Sequence, residues 1–269
     1  MTQPPIDPPP PDAPEPPGDA LPPDASPPDA TPRVPPPPAV PPAAYDTFVP
    51  PALSPTERIR VAYQQRNESD YLFSFWTALG WTLLTCGFYG LYVFYQLMRR
   101  MRDHNRRRLE LLDGTAALAW ERASTQGLTE ELRPAFERMS THFAVLRQMT
   151  TDFRDPAIWT LLAVAGSSIA QIVGYVFLDQ DLVKHDYHEG AIESELVAIY
   201  GRLGFVLPSP DPTRLKAQHN YAGRIVATIF SCGLYALWWL YNMMDEPNRH
   251  FAHNAAWEDA LATVVQSMT

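Results

Sequence analysis

Asp181, His185, His188 and Glu189 are the residues whose types and spacing come nearest to chemistry. Residues three and four apart share a helix face, and imidazole with carboxylate oxygen is a ligand set that suits zinc or a similar ion. A solvated amphipathic face has the same spacing, and no zincin pattern stands out. The sequence therefore assigns no metal and no cofactor. A nucleophile elbow, a phosphate-binding glycine loop and a buried carboxylate pair are also missing, so the expectation is a protein that is not an enzyme. Cys86 and Cys232 sit deep in apolar segments and read as small packing residues, not as a redox pair.

The elements that would position such residues fall into unlike populations. Of the 29 prolines, 23 precede Thr56, where seven acidic residues accompany the single Arg33 and supply most of the net charge of -9. Residues 1–55 are expected to be a disordered, semi-stiff proline-rich arm, serving as a spacer or as a docking site for proline readers. A polar juxtamembrane helix follows over 56–70. Three uncharged stretches then stand out, within segments 71–98, 157–178 and 222–244. The first, at about 1.5 Å per residue, would be about 42 Å long, more than a hydrocarbon core of about 30 Å.

Between and beyond these segments the pattern is amphipathic helix. Over 99–156, Leu132, Phe136, Met139, Phe143 and Leu146 form a seam on one helix, and Met101, Leu112, Ala116, Ala119 and Ala123 form a smaller stripe on the other. Together they predict a helical hairpin outside the membrane. Another amphipathic helix is expected over 179–207, a proline-containing linker over 208–221, and a last helix over 245–269 after Pro247. The fold class is thus an all-α membrane protein with about three transmembrane helices, coiled-coil-like helices outside the bilayer and the disordered arm.

The outer two apolar segments are copies of one unit. Thr85-Cys86-Gly87-Phe88-Tyr89-Gly90-Leu91-Tyr92 returns as Ser231-Cys232-Gly233-Leu234-Tyr235-Ala236-Leu237-Trp238-Trp239, and His104 falls on His250 in the same register. These motifs resemble the Gly-x-Tyr-x-x-Tyr-Trp pattern of a bacterial membrane-protein group, the domain of unknown function 4234. The run from Phe177 to His185 is similar to that group as well. The resemblance covers most of Tyr71 to Glu258 and implies an integral membrane protein without assigned catalytic residues.

Small residues recur every fourth position in all three segments: Thr82, Cys86 and Gly90; Gly166, Ala170 and Gly174; Thr228, Cys232 and Ala236. They are read as helix-packing faces that permit close approach. The implied partners are the lipid bilayer and a second copy of the chain or another membrane protein. Arg99, Arg100, Arg102, Arg106, Arg107 and Arg108 abut the first segment, so topology and anionic headgroups explain them better than nucleic acid does.

The expected placement is multi-pass, in a bacterial cytoplasmic membrane. The competing arrangement has each segment as a re-entrant helical pair broken at Gly87, Gly166 and Gly233 and followed by a histidine (His104, His185, His250). Half-segments of about 12 residues are too short to span, and lipid-exposed turns are unfavourable, so three spans are preferred. The functional expectation is a non-enzymatic helix-packing, scaffold or interaction module. A small-solute or ion transport component is the alternative.

Overall fold

The structure, a computed structural model, describes residues 53–214 and 219–268, without the side chains of residues 167 and 168. The proline-rich arm therefore lies outside the described residues except for its last three positions. Those lead into the first of nine described helices, all α, with no strand among them. The helices are α1 (Pro55–Gln64), α2 (Arg66–Ser69), α3 (Phe75–Leu84), α4 (Phe88–Thr125), α5 (Thr129–Thr151), α6 (Pro156–Ala165), α7 (Ser167–Arg202), α8 (Tyr221–Phe230) and α9 (Leu234–Met268).

Each apolar segment doubles back on itself, which corrects the expectation of three continuous spans. No helix among the described residues is long and apolar enough to cross a membrane. Instead a ten-residue arm, α3, α6 or α8, enters and a long helix, α4, α7 or α9, returns. Each short arm starts on a polar cap: Ser74 accepts from Thr77 N, Asp155 from Ala157 N and Ile158 N ahead of Pro156, and Asn220 from Gly223 N. Cross-hairpin contacts establish the reversal. Tyr71 Oη donates to the Gln96 carbonyl at 2.8 Å, the Trp159 and Phe177 ring centres are 5.5 Å apart, and Arg224 lies over Trp238 and Trp239.

The repeated motif is the reversal itself. Cys86 and Gly87 have φ of 49° and 96°, and Cys232 and Gly233 have 50° and 90°. Two consecutive left-handed residues turn the chain, and glycine removes the steric penalty at the second. The Thr82 carbonyl accepts from Gly87 N at 2.8 Å, and the Thr228 carbonyl accepts from Gly233 N at the same distance. Thr85 Oγ1 and Ser231 Oγ then cap the returning helices by accepting from Tyr89 N and Tyr235 N. The turns thus satisfy their own backbone, which removes the objection raised against a reversal in apolar surroundings.

The small residues play separate parts in this geometry. Thr82 faces Gly90 across the first hairpin, where a Cβ would lie 3.2 Å from the Thr82 methyl. Thr228 and Ala236 hold the matching half-buried positions in the third hairpin. Cys86 and Cys232, expected within a packing ridge, are exposed at the apices because the helix ends before reaching them. Gly166 forms the middle reversal and the half-buried Ala170 lies one turn beyond it. Gly174 is a genuine close-approach site, since a Cβ there would meet the Phe94 ring at 2.5 Å.

Contacts at two levels align the long helices. Phe94 of α4 meets Tyr175 of α7, and Tyr175 meets Trp239 of α9, with ring centres 5.4 and 6.5 Å apart. Further along, His104, His185 and His250 of the same three helices meet. Two levels in matching order require parallel helices, so the three apices lie at one end. Below the hairpins is an apolar layer that includes Phe94, Met98, Leu178, Trp239 and Met244, then a polar layer, then a second apolar core where Leu111, Ile192, Leu196, Tyr200 and Leu261 pack with α1 and α5. The expected seam residues Leu132, Met139, Phe143 and Leu146 are buried there.

Pro247, expected to precede a separate helix, lies within α9. A proline leaves the carbonyl four residues earlier without its helical donor. Here the Met243 carbonyl accepts from Arg100 Nη2 at 3.3 Å, so the helix continues. Replacing Gly174→Leu is expected to destabilise the fold by about 1–3 kcal/mol or more by driving Phe94 from its place. Chemical unfolding followed by circular dichroism checks this; an unchanged midpoint and slope would show that the close approach is not used.

Candidate functional site

The polar layer is built from one histidine per hairpin. His104 lies seventeen positions after Gly87, His185 nineteen after Gly166, and His250 seventeen after Gly233. A helix rises about 1.5 Å per residue, which puts all three at about the same depth, 25–29 Å from the apices. Their ring centres are 5.2, 5.3 and 5.8 Å apart, and all three residues are essentially inaccessible to solvent. Glu189, one turn beyond His185, joins them: its Oε2 lies 3.3 Å from His185 Nε2 and 3.1 Å from His250 Nε2.

Carboxylates hold the outer edges of two rings. Asp70 Oδ1 is 2.9 Å from His104 Nδ1, and Asp186 Oδ1 is 2.9 Å from His250 Nδ1. Burial dominates at His104 and pushes its pKa down to about 3, against the pull of Asp70. At His250 burial acts in the same direction, but Glu189 and Asp186 outweigh it and raise the pKa to about 9. Asp70 resists burial through His104 and Arg107 and is held well below the usual carboxylate range.

Arginines close the layer on the side away from the hairpins. Arg108 reaches Glu189, Glu193 and Glu258, and Arg107 reaches Asp70 and Glu258. Arg214 reaches Asp186 and Glu193 and approaches Glu189 at 3.7 Å. Asn254 Nδ2 donates to Glu189 Oε1 at 2.9 Å and lies 3.2 Å from His250 Nε2. Arg100, Arg107 and Arg108, expected to face headgroups, are therefore buried, because α4 carries them into the centre of the helices. Arg99 and Arg106 remain exposed.

The four residues singled out by spacing separate. His185 and Glu189 enter the layer, whereas Asp181 pairs with Arg154 at 2.6 Å and His188 faces His142 of α5, Nδ1 to Nδ1, at 2.9 Å. His104 and His250 were visible as repeat partners and, with His185, as the histidine that follows each segment. The available clue was one histidine at nearly equal distance from each glycine break. A second group, Asp179, His219 and Glu246, also brings possible metal ligands together. There His219 lies between the two carboxylates at 2.8 and 3.3 Å, and Arg224 already pairs with Asp179.

Chemically, the first cluster can share protons between imidazole and carboxylate or offer nitrogen and oxygen lone pairs to a cation. Arg108 is the pivot of its charge balance. Arg108→Leu leaves three buried carboxylates without their shared cation and is expected to cost about 3–5 kcal/mol. The unfolding free energy of the variant tests this, and a loss below about 1 kcal/mol would mean that the cluster does not depend on that charge.

No curated protein and no solved structure gives a match to this chain. Residues 73–184 match the family described as Domain of unknown function (DUF4234). The match takes in the first two hairpins with His104 and stops one residue before His185, short of the second copy of the aromatic motif. Over residues 73–184, less than half of the chain, the similarity is thus to the domain of unknown function 4234 family.

Proposed function

We propose that the protein is a non-enzymatic membrane-anchored module whose three hairpins insert into one leaflet of a bilayer. The observation that carries this reading is the apolar surface of the hairpin tips. Leu83, Leu84 and Phe88 flank the first apex at 71–78 % exposure, and Ile229, Phe230 and Leu234 flank the third at 70–85 %. Leu161, Leu162, Val164 and Ile169 do the same around the middle reversal. Clustered apolar side chains at one end of a molecule call for a nonaqueous partner.

Dimensions favour lipid as that partner. A ten-residue arm is about 15 Å long, half of a hydrocarbon core of about 30 Å. Charged groups then set the depth: Arg99, the Arg154 and Asp181 pair, and Asp245 all lie where the arms leave the apolar layer. The self-satisfied turns meet the demand that lipid places on backbone groups. With both ends of every hairpin on one side, the described residues before the first hairpin have no need to cross the bilayer.

The only two cysteines, Cys86 and Cys232, mark two of the apices and supply the test. The full chain is expected to float with liposomes, and a membrane-impermeant maleimide should leave both thiols unmodified there yet modify both after denaturation. Full modification in the vesicles would contradict insertion. A water-soluble oligomer with protected thiols and no flotation would do so too, by placing a second copy of the chain over the tips.

A further inference from the structure

We propose that His104, His185, His250 and Glu189 form a closed four-ligand site for a divalent transition metal of the zinc class, which clamps the three long helices together. The atoms they offer all lie within 4.8 Å of one another. Three imidazoles bound tetrahedrally at about 2.0–2.1 Å would have ring centres about 5 Å apart and neighbouring ligand atoms about 3.3 Å apart. The observed ring separations of 5.2, 5.3 and 5.8 Å and the 3.1 and 3.3 Å approaches of Glu189 Oε2 fit that geometry.

An independent observation points to a missing partner. His104 Nε2 is buried and makes no hydrogen bond, and the buried His185 Nε2 and Glu189 Oε2 have, apart from the Arg214 guanidinium at 3.7 Å, only each other and His250 Nε2 within reach. Orphaned or poorly partnered polar atoms are costly in an interior, and here they belong to residues whose ligand atoms lie within 4.8 Å of one another. Opposite these atoms, the groups are occupied. Asp70 and Asp186 hold the Nδ1 atoms of His104 and His250, while Arg108 and Asn254 hold Glu189 Oε1. Such outer contacts orient histidine and carboxylate ligands toward a metal, and a carboxylate behind an imidazole raises the basicity of its free nitrogen.

Charge supplies a third line. The ion pairs of the layer join Asp70, Asp186, Glu189, Glu193 and Glu258 to Arg107, Arg108 and Arg214, and with Arg100, buried one turn before His104, the carboxylates still outnumber the guanidinium groups by one. Arg66 at the edge brings Asp259 with it and leaves the excess unchanged. A bound cation would offset it. Four protein ligands with no access for solvent make a structural site, not a catalytic one with an open position. The Asp179, His219 and Glu246 group offers three ligands instead of four.

The full chain, purified in mild detergent and dialysed against zinc alone, is expected to retain about one zinc ion per chain by elemental analysis. Loading with cobalt alone should give the intense visible absorption of a four-coordinate ion. His104→Gln and His250→Gln should each weaken retention at least about tenfold, whereas the double variant H142A/H188A, outside the layer, should retain the metal. Circular dichroism accompanies each variant; if a variant has lost its helices, the readout moves to the parent, where chelation should remove the metal and lower Tm. A helical parent that binds no metal would show that protons alone balance the layer and would overturn the proposal. Unchanged retention in both glutamine variants, or loss confined to H142A/H188A, would overturn it as well.

Discussion

A backbone reversal inside an apolar segment is the constraint on which the remaining structure depends. The turn interrupts the helical ladder of an apolar segment, so its peptide groups must find partners locally. The Thr82 and Thr228 carbonyls and the Thr85 and Ser231 hydroxyls do this, while Cys86-Gly87 and Cys232-Gly233 provide the two left-handed conformations. Once the chain has reversed, each long helix starts at an apex and runs away from it. Three such helices laid side by side bring equivalent depths together.

That arrangement explains why a polar layer can exist between two apolar cores. Side chains at one depth come from α4, α7 and α9 simultaneously, so histidines and acids far apart in sequence meet arginines that local spacing would leave in solvent. Burying Arg108 alone would be prohibitive. Surrounded by Glu189, Glu193 and Glu258 it becomes tolerable, and removal of any partner exposes the cost of the others.

Much of this was legible in the sequence. The helical class, the repeat, the apolar segments and the seam from Leu132 to Leu146 all follow from periodicity, which reports a helix face directly. The reversals were legible only as a competing possibility, because a glycine in an apolar run fits a kink as well as a turn. The decisive feature, a left-handed cysteine ahead of that glycine, follows no local preference. For the site, spacing found His185 and Glu189 since they share a face of α7. It attached the wrong neighbours, Asp181 and His188, because a helix wheel does not show which helix packs against which face. His104 and His250 are brought in by tertiary contact alone.

The distance between spin labels introduced at Leu72 and Arg99, both exposed on either side of the first apex, tests the reversal most directly. In a continuous helix these positions would be about 40 Å apart. Packed arms separated by about 8–10 Å should instead place the labels within about 20 Å of each other in detergent and in liposomes. A distribution centred near 40 Å would restore the single span and dissolve the common depth that brings the three histidines together.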